Sequence, residues 1–557
     1  MKNEIVNTVL LLSVVGCNIL YAVPNSGDAL RESQISIPPE KKSVLPSIEY
    51  KVMESKHVLQ GEAKVFIKGF RFTGNRMLSS EALGALLTDY SGKELSYIQI
   101  DEAVSKITDA YRKKGYFVAR AYLPVQEIQD GILTIGVIEG SYGEVRIHNN
   151  TPINTDVIQC YADAIDKTNS IQINDVERTV LLIEDIPRVH VASARLSAGS
   201  AVGSSDLDID LEQDSIVDGY AMADNYGSRY TGYNRVSFDA NLNSIWYQGE
   251  KITFGGMISD TNGLESGHVD FEKAIGGSGL QIRVSVFRTL YALGEEYTDL
   301  DAHGSASGVS IGASYPLIKS RLQTLVMDME YKHQNLDDKI DASDYEMKKS
   351  SKTLRVGLGW SKEHMLAGLD GKTTASFVWT SGKLVFDDDA AVLSDAAGAH
   401  LQGNFNKVNF DATHLFHLAN NLNLNVFFRG QHVIGKKNLD GSEEMSIGGA
   451  NGVRFFSPSE QNGDNGYIYG AELFCALGGM NDMYSTVSIF TDSGRAWQDI
   501  PMSSDIQRSL HDVGIGYYAE YKNFFAKAFV AKEIGNAQIL SDKGYETKFL
   551  VQTGLVF

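Results

Sequence analysis

Cysteine and positive charge are both scarce in this chain. Its 557 residues include three cysteines and carry a formal net charge of -20. Cys17 lies in the N-terminal apolar segment, which leaves Cys160 and Cys475 in segments that differ in pattern. Two distant cysteines cannot supply a disulfide framework or a cysteine-based metal site. A nucleic-acid-binding protein needs a basic face, so the acidic balance predicts that no nucleic acid is a partner.

Long apolar runs and catalytic motifs are absent as well. Beyond the N-terminal segment no apolar stretch reaches the roughly eighteen residues that a transmembrane helix needs. No Gly-x-Ser-x-Gly elbow, His-Glu-x-x-His pair or complete phosphate loop occurs, and the twelve histidines are scattered. The sequence therefore predicts no enzyme, no cofactor and no metal site. Gly371-Lys372-Thr373 is interpreted as a hairpin turn, and both Asp387-Asp388-Asp389 and the segment from Asp337-Asp338 to Asp344 as solvated loops.

Residues 1–22 have the pattern of a secretory signal peptide. A lysine stands near the start, an apolar run extends from about Val9 to Leu20, and Ala22 provides a small residue for cleavage. The alternative is a lipoprotein cleavage box at Cys17, but the apolar run continues past that cysteine. Cleavage near Ala22 is favoured, and lipidation at Cys17 stays open. Either way, the protein is exported from the cytoplasm.

Residues 23–62 and the two segments after them differ in pattern. Residues 23–62 are polar, with a short helix predicted over Gly27 to Gln34 and prolines in the linker that follows. Residues 63–140 predict the order strand, helix, helix, strand, strand, and residues 141–213 repeat that order more faintly. The strands predicted first are Val65 to Phe72, Val118 to Leu123 and Gly131 to Glu139, and the helices are Ser79 to Leu87 and Ile98 to Lys114. Two copies of a small α+β domain thus lie in tandem.

Residues 214–557 change to short segments in which apolar and polar residues alternate, as around Val236 to Asn243. A soluble β-sandwich would alternate in the same way. Length decides between the two architectures. About 340 residues at about twenty per strand and loop give about 16 strands, which is typical of a closed outer-membrane barrel. The last alternating segment, Phe549 to Phe557, ends on an aromatic residue, which suits a signal read by the barrel-assembly machinery.

Five motifs in the first small domain stand in the order and spacing of a known family. They are Phe72-Thr73-Gly74-Asn75, Tyr90-Ser91-Gly92-Lys93-Glu94-Leu95, Tyr111-Arg112-Lys113-Lys114-Gly115-Tyr116, Ala121-Tyr122-Leu123-Pro124-Val125-Gln126 and Val137-Ile138-Glu139-Gly140. With these motifs the chain resembles the hemolysin secretion/activation family, the TpsB-type pores of two-partner secretion. The resemblance implies that the small domains are POTRA domains, periplasmic units that bind extended chains by adding a strand to a sheet edge.

Two segments of the predicted barrel extend the resemblance. Phe490-Thr491-Asp492-Ser493-Gly494 matches the family's Phe-x-Asp-x-Gly strand motif, whose carboxylate meets a loop arginine inside the barrel. The residues that resemble this lumen loop are Gly448, Gly449, Val453, Arg454, Phe455 and Phe456. The resemblance therefore implies an Arg454–Asp492 pair. Phe455 stands where the family usually has glycine, and Arg188 replaces a second family glycine. A bulky side chain disfavours positive φ, so Phe455 argues against the tight backbone that the family has at the loop tip.

The resemblance also implies an architecture, a function and partners. The expected fold is two small α+β POTRA-like domains followed by a transmembrane antiparallel β-barrel in the cell outer membrane, with the N-terminal domains in the periplasm. The helix near Ala29 to Gln34 would plug the resting pore. The client would be a large secreted exoprotein with an N-terminal secretion domain, and outer-membrane lipid and the barrel-assembly machinery would be further partners. A barrel-assembly factor of the same superfamily and a passive outer-membrane channel are the alternatives.

Overall fold

The computed structural model describes residues 23–33, 48–50, 64–458, 460–480, 482–501 and 507–557. The predicted signal peptide, the Cys17 alternative and most of the predicted linker lie outside these residues. The described α-helices are α1 (Ser26–Glu32), α2 (Ser80–Leu86), α3 (Tyr97–Lys113), α4 (Thr155–Asp163), α5 (Ile173–Glu184) and α6 (Asp389–Ala397). The first strands are β1 (Ile48–Tyr50), β2 (Lys64–Ile67), β3 (Gly69–Thr73), β4 (Lys93–Ser96), β5 (Arg120–Tyr122), β6 (Ile132–Ile138), β7 (Ser141–Asn149), β8 (Val189–Ala198) and β9 (Ser204–Gln213).

The remaining strands belong to a barrel and to one of its loops. The barrel strands are β10 (Val217–Asp224), β11 (Arg235–Asn243), β12 (Glu250–Ser259), β13 (Leu264–Ile275), β14 (Leu280–Ala292), β15 (Ala302–Lys319), β16 (Gln323–Ile340), β17 (Tyr345–Leu366), β18 (Leu369–Phe386), β19 (Gly403–Ala419), β20 (Leu422–Val433), β23 (Asn465–Met480), β24 (Met483–Trp497), β25 (Ser509–Tyr521), β26 (Phe524–Glu533) and β27 (Lys548–Val556). Two short strands, β21 (Met445–Ser446) and β22 (Asn462–Gly463), pair within the loop between β20 and β23.

The first small domain packs α2 and α3 against a sheet of order β3-β6-β5. α3 begins with a capping box in which the side chains of Ser96 and Gln99 each accept a hydrogen bond from the other's backbone N–H. Ile100, Ile107 and Tyr111 lie on its buried face, at the helical spacing that the sequence shows. Because β5 is an outer strand of the sheet, its free backbone groups face away from β6.

One predicted strand of this domain is two strands. The sequence predicts a single strand from Val65 to Phe72, but the Gly131 carbonyl accepts from the backbone N–H groups of both Lys68 and Gly69. The chain changes direction there, so β2 pairs antiparallel with β4 whereas β3 pairs parallel with β6. β4 has no counterpart among the predicted strands.

The second small domain has a sheet of order β1-β8-β9-β7 covered by α4 and α5. Val176, Val180 and Ile183 of α5 are buried against it. β1 comes from the segment predicted to be a linker, and the backbone of Ile48 lies opposite Ala194 in parallel register with β8. The linker therefore supplies an edge strand to this sheet, which its polar, proline-containing sequence did not predict.

The rest of the chain forms a closed antiparallel barrel of sixteen strands, as the sequence predicts. β10 closes the ring by pairing with β27. This seam has five residue pairs, from Tyr220–Val556 to Asp224–Gln552, whereas β16 and β17 have eighteen. The ring therefore closes through its shortest ladder.

The two faces of the barrel differ in chemistry. Large apolar side chains remain exposed on the outer face, among them Val286, Met329, Leu358, Phe377 and Ile515. The side chains at the alternate positions of each strand face the lumen, and many of these are polar or charged. An apolar outer band around a polar lumen is the arrangement of an outer-membrane barrel, because closure pairs every strand's backbone in lipid.

Two short segments differ from their predicted form. Gly371 to Thr373 lie inside β18, and the hairpin turns instead at Ala367 and Gly368. Asp389 begins α6, and the carboxylate of Asp388 caps that helix by accepting from its first backbone N–H groups. Within the described ranges no helix is both long enough and apolar enough to cross a membrane.

α1 lies inside the barrel lumen. Asn25 and Asp28 form a capping box at its start, and the backbone N–H of Ser26 donates to Asp338 of β16 at 2.6 Å. Beyond its end, the Ser33 hydroxyl lies 3.4 Å from that of Thr289 on β14. The helix covers Ser26–Glu32 rather than the predicted Gly27 to Gln34, whose last residue lies outside the described residues.

The second small domain contacts the turns at one end of the barrel. Lys319 Nζ lies 2.6 Å from the Asp185 carboxylate, and the Ser244 hydroxyl donates to the Pro187 carbonyl at 2.7 Å. Arg188 adopts a φ of 73°, and its guanidinium lies over the Tyr247 ring at 5.6 Å. The arginine thus keeps the left-handed conformation that favours glycine, and its side chain binds the barrel.

Candidate functional site

A long loop, residues 434–464, folds back into the barrel from the end opposite the small domains. β21 and β22 pair across it, and the Asp464 carboxylate accepts from the backbone N–H of Leu439 at 2.7 Å. Lys407 on the barrel wall lies 2.8 Å from Glu443 of the loop. These contacts hold both arms of the loop against the wall.

The loop tip, residues 446–457, is closed by backbone hydrogen bonds. The Gly449 N–H donates to the Phe456 carbonyl at 2.9 Å, and Gly449 has a φ of 90°. A Cβ atom at Gly448 would lie 2.0 Å from the Ser457 carbonyl oxygen. The tight turn therefore needs glycine at both positions. The buried side chain of Val453 lies beneath this turn, and its backbone pairs with Gly448.

Arg454 projects from the loop tip into a cage of acidic and aromatic side chains. Its Nε lies 2.9 Å from Asp492 Oδ2 on β24. The two groups form an ion pair, but the N–H does not point at the oxygen well enough for a hydrogen bond. Its Nη2 donates to Glu472 on β23 at 2.7 Å. The guanidinium also lies 3.7 Å from the centre of the Phe490 ring. Gly494, the last residue of the strand motif, packs beside Ile447 and thus leaves room for the tip.

Asp512 on β25 is a third carboxylate at this site. It accepts from the backbone N–H of Phe455 at 2.7 Å and from that of Asp492 at 3.1 Å. Asp492 and Asp512 are directly opposite in the ladder, an arrangement of like charges that destabilises a sheet. Together with Glu472 they place three carboxylates around one guanidinium. The sequence motifs identify neither Glu472 nor Asp512.

Phe455 does not require the backbone conformation of the glycine it replaces. Its φ is not positive. The ring is buried, and it lies 5.0 Å from that of Phe456 and 5.1 Å from that of Tyr545, measured between ring centres. The Tyr545 hydroxyl donates to the Phe455 carbonyl at 3.0 Å. In this chain an aromatic pocket therefore holds the loop tip, and phenylalanine at position 455 is compatible with the backbone there.

The loop before β27, residues 534–547, also forms hydrogen bonds with the lumen loop at and just beyond its tip. Glu460 pairs with Arg508 and accepts from the backbone N–H of Leu540 at 2.8 Å. Asp542 accepts from the Ser457 hydroxyl at 2.6 Å. The loop tip is therefore enclosed between the barrel wall and a second loop.

α1 is bound to both the wall and the lumen loop. The Glu32 carboxylate accepts from the Ser228 backbone N–H and the Thr231 hydroxyl, both at 2.8 Å. Arg31 donates to the Gly441 carbonyl of the loop. Arg235 donates to the Glu32 carbonyl at 3.1 Å. These polar contacts fix the helix across the lumen.

A buried lysine stands where α1, the loop and the wall meet. Lys349 of β17 lies 2.5 Å from Asp440 of the loop and 3.5 Å from Asp338 of β16. Asp338 also accepts from α1 at Ser26. One ion cluster therefore touches all three parts. The prediction of a solvated loop is wrong at Asp338, which is buried in β16 and faces the lumen.

The motif residues of the first small domain form a separate cluster around Glu139. Its Oε1 accepts from the backbone N–H groups of Arg76 at 2.6 Å and Met77 at 2.7 Å, and from the Tyr111 hydroxyl at 2.7 Å. Burial, together with the neighbouring Glu139, raises the pKa of Tyr111, so this hydroxyl remains a proton donor. One carboxylate therefore joins two of the five motifs, at Tyr111 and Glu139, to the residues that directly follow a third.

The other motif residues complete the turns of that domain. The Gln126 amide exchanges two hydrogen bonds with the Thr134 backbone, at 2.7 and 2.8 Å. The Asn75 amide donates to the Leu78 carbonyl at 2.9 Å, and Tyr116 accepts from Gln172 of the second domain at 3.2 Å. The Pro124 carbonyl accepts from Gln126, and positive φ values occur at Gly74, Gly115 and Gly140.

In the described part of the chain, no group of three or more histidine, cysteine or acidic side chains is arranged so that it could hold a metal ion. Cys160 and Cys475, both within that part, are free thiols.

Comparisons with known proteins agree with this architecture. A family model described as "POTRA domain, ShlB-type" matches residues 65–140, and one described as "Haemolysin secretion/activation protein ShlB/FhaC/HecB" matches residues 203–517. The heme/hemopexin transporter protein HuxB of Haemophilus influenzae is 26% identical, and the match covers 93% of each chain. The outer membrane transporter CdiB of Dickeya dadantii is 22% identical over 76% of this chain and 74% of its own.

A solved structure supports the same fold. CdiB from Escherichia coli matches with a TM-score of 0.73 at 17% sequence identity, over 95% of each chain. The second family model alone spans more than half of this sequence. The small domains are therefore POTRA domains, which are periplasmic in this family, and the barrel crosses the outer membrane. The chain belongs to the ShlB/FhaC/HecB family of haemolysin secretion/activation proteins, the outer-membrane transporters of two-partner secretion.

Proposed function

We propose that this chain is an outer-membrane pore that recognises and secretes a large unfolded exoprotein, such as an adhesin or a hemolysin-like protein. The observation that carries the proposal is the closed lumen, which contains α1 and the loop of residues 434–464. α1 is attached mainly through hydrogen bonds and ion pairs, which water can replace at small net cost when the helix leaves.

The client would enter through the periplasmic domains as an extended strand. β5 is an edge strand of the first POTRA sheet, and a groove between β5 and α3 runs beside it. Apolar side chains line this groove, including Ile100, Val104 and Leu123. A strand added at β5 would gain backbone hydrogen bonds from the edge and side-chain contacts from the groove, so recognition needs little sequence information. The β8 edge of the second POTRA sheet already carries β1.

The Arg454–Asp492 pair is proposed to hold the resting position of the lumen loop. Its ion cluster fixes the position of the loop more than it adds net stability, because the loss of hydration on burial offsets much of the attraction between the charges. When α1 leaves the lumen and the loop tip shifts, the client chain would pass through a polar channel. Folding of the client outside the cell would supply the driving force, since the chain carries no recognised nucleotide motif.

Secretion of the cognate exoprotein into the medium tests this proposal. Cells would carry the intact gene, a deletion, Arg454→Ala, or Arg355→Ala as a matched control. Arg355 is also a lumen arginine; it lies 3.8 Å from Glu330 and lines the same cavity as the loop tip, but its ion pair lies outside the Arg454 cage. We expect deletion to abolish export, Arg454→Ala to reduce it several-fold at normal barrel abundance, and Arg355→Ala to leave it near wild type.

The alternative of a barrel-assembly factor predicts a different result from the same cells. Export would then persist in the deletion strain while the abundance of other outer-membrane barrels falls. A passive channel would change neither export nor barrel abundance. Either result would contradict the proposed secretion function.

A further inference from the structure

Three basic side chains form a row across adjacent strands on the outer face of the barrel. His333 on β16 is directly opposite Lys352 on β17, and Lys352 is directly opposite Lys383 on β18. Lys352 and Lys383 are exposed, and His333 is half-buried. We call these three residues the cationic row.

The position of the row relative to the membrane follows from the pattern along β17. On the outward face, Lys352 and Lys362 bracket Leu354, Val356, Leu358 and Trp360. Ten residues of strand span about 33 Å, which becomes about 25 Å of membrane thickness at the usual strand tilt of about 40°. That thickness is the height of the apolar band of an outer-membrane barrel. Lys352 and Lys362 therefore mark the two edges of the band.

Lys352 lies at the extracellular edge. The β17–β18 hairpin, beyond Lys362, turns at the same end as the hairpin that holds Lys319, which contacts the second POTRA domain. Tyr331 and Trp379 precede the row on β16 and β18, as aromatic residues do at a membrane interface. The row thus lies at the level of the outer-leaflet headgroups.

The chain itself does not neutralise this row. Within the described residues, neither Lys352 nor Lys383 forms an ion pair or a hydrogen bond through its side chain, and His333 Nδ1 has no hydrogen-bond partner. Two outward acids lie further up these strands: Asp337 of β16 is directly opposite Lys348, and Glu346 of β17 is shared by Lys339 and Lys348 at 2.9 Å each. Basic residues directly opposite one another destabilise a sheet unless an anion lies between them.

We infer that the cationic row binds the phosphorylated headgroup of an outer-leaflet lipid, the lipid A part of lipopolysaccharide. Its phosphates lie at the level of the row, and its acyl chains would lie along the apolar residues from Leu354 to Trp360. Two lysine ammonium groups and one imidazole supply charge-assisted donors for phosphate oxygens. The same charges have no such partner when the lipid is absent.

Binding and thermal stability of the full-length protein, purified in a neutral detergent and freed of lipid, test the inference. The probes are phosphorylated lipid A, dephosphorylated lipid A, phosphatidylglycerol and inorganic phosphate. The test variant is Lys352→Gln/Lys383→Gln. The matched control is Lys362→Gln, which removes one lysine from the same face of β17 at the periplasmic edge.

We expect phosphorylated lipid A to bind the wild type and to raise its unfolding temperature, and the double variant to bind it about tenfold more weakly. Without lipid the double variant should be at least as stable as the wild type, because the opposed charges are gone. Lys362→Gln controls for the general loss of positive charge. Dephosphorylated lipid A controls for binding through the acyl chains alone.

Other outcomes would overturn the inference. Equal lipid A binding by the double variant and the wild type would show that the row is not the site. Equal weakening in Lys362→Gln would point to non-specific charge. Equal binding of phosphatidylglycerol would assign the row to any anionic lipid, and competition by inorganic phosphate at the same concentration would assign it to a small anion.

Discussion

Arg454 carries one positive charge among the carboxylates of Glu472, Asp492 and Asp512. A buried ion pair is a weak source of stability, but removal of one partner leaves the others buried and unpaired. The cluster has a formal charge of -2 with the arginine and -3 without it. The charge balance of the cage therefore depends on a single side chain.

Arg454→Ala should release the loop tip. Loss of the only guanidinium in the cage should weaken tip docking by about 3 to 5 kcal/mol, a cost typical of stranded buried charges. Hydrogen exchange of residues 446–457, measured by mass spectrometry, should become at least a hundredfold faster. Arg454→Ala/Asp492→Asn should restore part of the protection because it removes one stranded charge, and Arg355→Ala should have no effect. Unchanged protection in Arg454→Ala would show that the aromatic pocket holds the tip alone.

The sequence predicts only part of this residue cluster. Arg454 and Asp492 were predicted because both lie in motifs that match the family. Glu472 and Asp512 lie in strands without a motif, and their place opposite or beside Asp492 depends on strand register. Register follows from turn lengths and barrel closure, which a single sequence does not show. Phe455 could not be interpreted without its partner Tyr545, which lies 90 positions away.

At the scale of elements, the β10–β27 seam is extended by one side chain. Beyond the last residue pair, the Asn225 amide donates to the Phe549 carbonyl at 2.9 Å and accepts from the Val551 N–H at 2.7 Å. The side chain imitates a strand backbone and continues the ladder. Asn225 thus compensates for the short pairing at closure.

Asn225→Ala should make the seam less stable. Two hydrogen bonds at about 1 kcal/mol each predict a loss of about 1 to 3 kcal/mol, including the unpaired backbone groups. The temperature at which the folded barrel changes its mobility on a detergent gel should fall by several degrees. Asn234→Ala is the control, since Asn234 donates to Asp260 in the same loop region but not across the seam. Equal shifts in both variants would contradict a special role of the seam contact.

The second POTRA domain offers a prediction about pH. The Arg146 side chain donates to Asp208 at 2.8 Å across β7 and β9 and holds the pKa of that carboxyl below its ordinary value. A depressed pKa in the folded state stabilises the domain above the unfolded value of about 3.9, and this contribution is lost as pH falls through the lower folded value. Arg146→Gln should therefore unfold at lower urea than wild type at pH 7, with a smaller difference at pH 3.

Helical circular dichroism at 222 nm can follow this unfolding, because most described helical residues lie in the two POTRA domains. Arg195→Gln is a useful comparison. The pKa of its partner Asp210 is lowered first by the Ser193 hydroxyl and only then by Arg195, so the pH effect should be smaller. A deficit of Arg146→Gln that stays the same at both pH values would show that packing of the side chain matters rather than its charge.

The elements that the sequence did not predict are short or depend on distant partners. β1 has three residues, and its pairing with β8 joins positions that are far apart in the chain. The strand Val65 to Phe72 was predicted as one because both parts are apolar, and its break depends on the carbonyl of Gly131. In contrast, α3 was predicted because helical spacing of apolar residues is a local signal.

At the scale of the whole molecule, two internal elements occupy the lumen of one barrel. α1 is held at Asp338, Ser228 and Thr231, whereas the loop tip is held on β23, β24 and β25. The barrel itself could be predicted from length and alternation. The docking of α1 could not, since its contacts join residues about 200 to 430 positions apart.

Deletion of residues 26–32 should open the resting channel in part. The polar contacts of α1 span the lumen, so their removal should raise the single-channel conductance several-fold in planar bilayers. Deletion of α6 is the matched control, because that helix of similar length lies in the largely exposed loop between β18 and β19. Unchanged conductance after loss of α1 would mean that the loop alone closes the channel.

The two closures should act together rather than separately. α1 contacts the first arm of the loop through Arg31 and Gly441, but the loop tip is held by its own cage. Either element still obstructs the lumen when the other has gone. The conductance of the α1 deletion combined with Arg454→Ala should therefore exceed the sum of the two single increases, as double-mutant analysis of coupled sites would show. A purely additive result would mean that each element covers its own part of the cross-section.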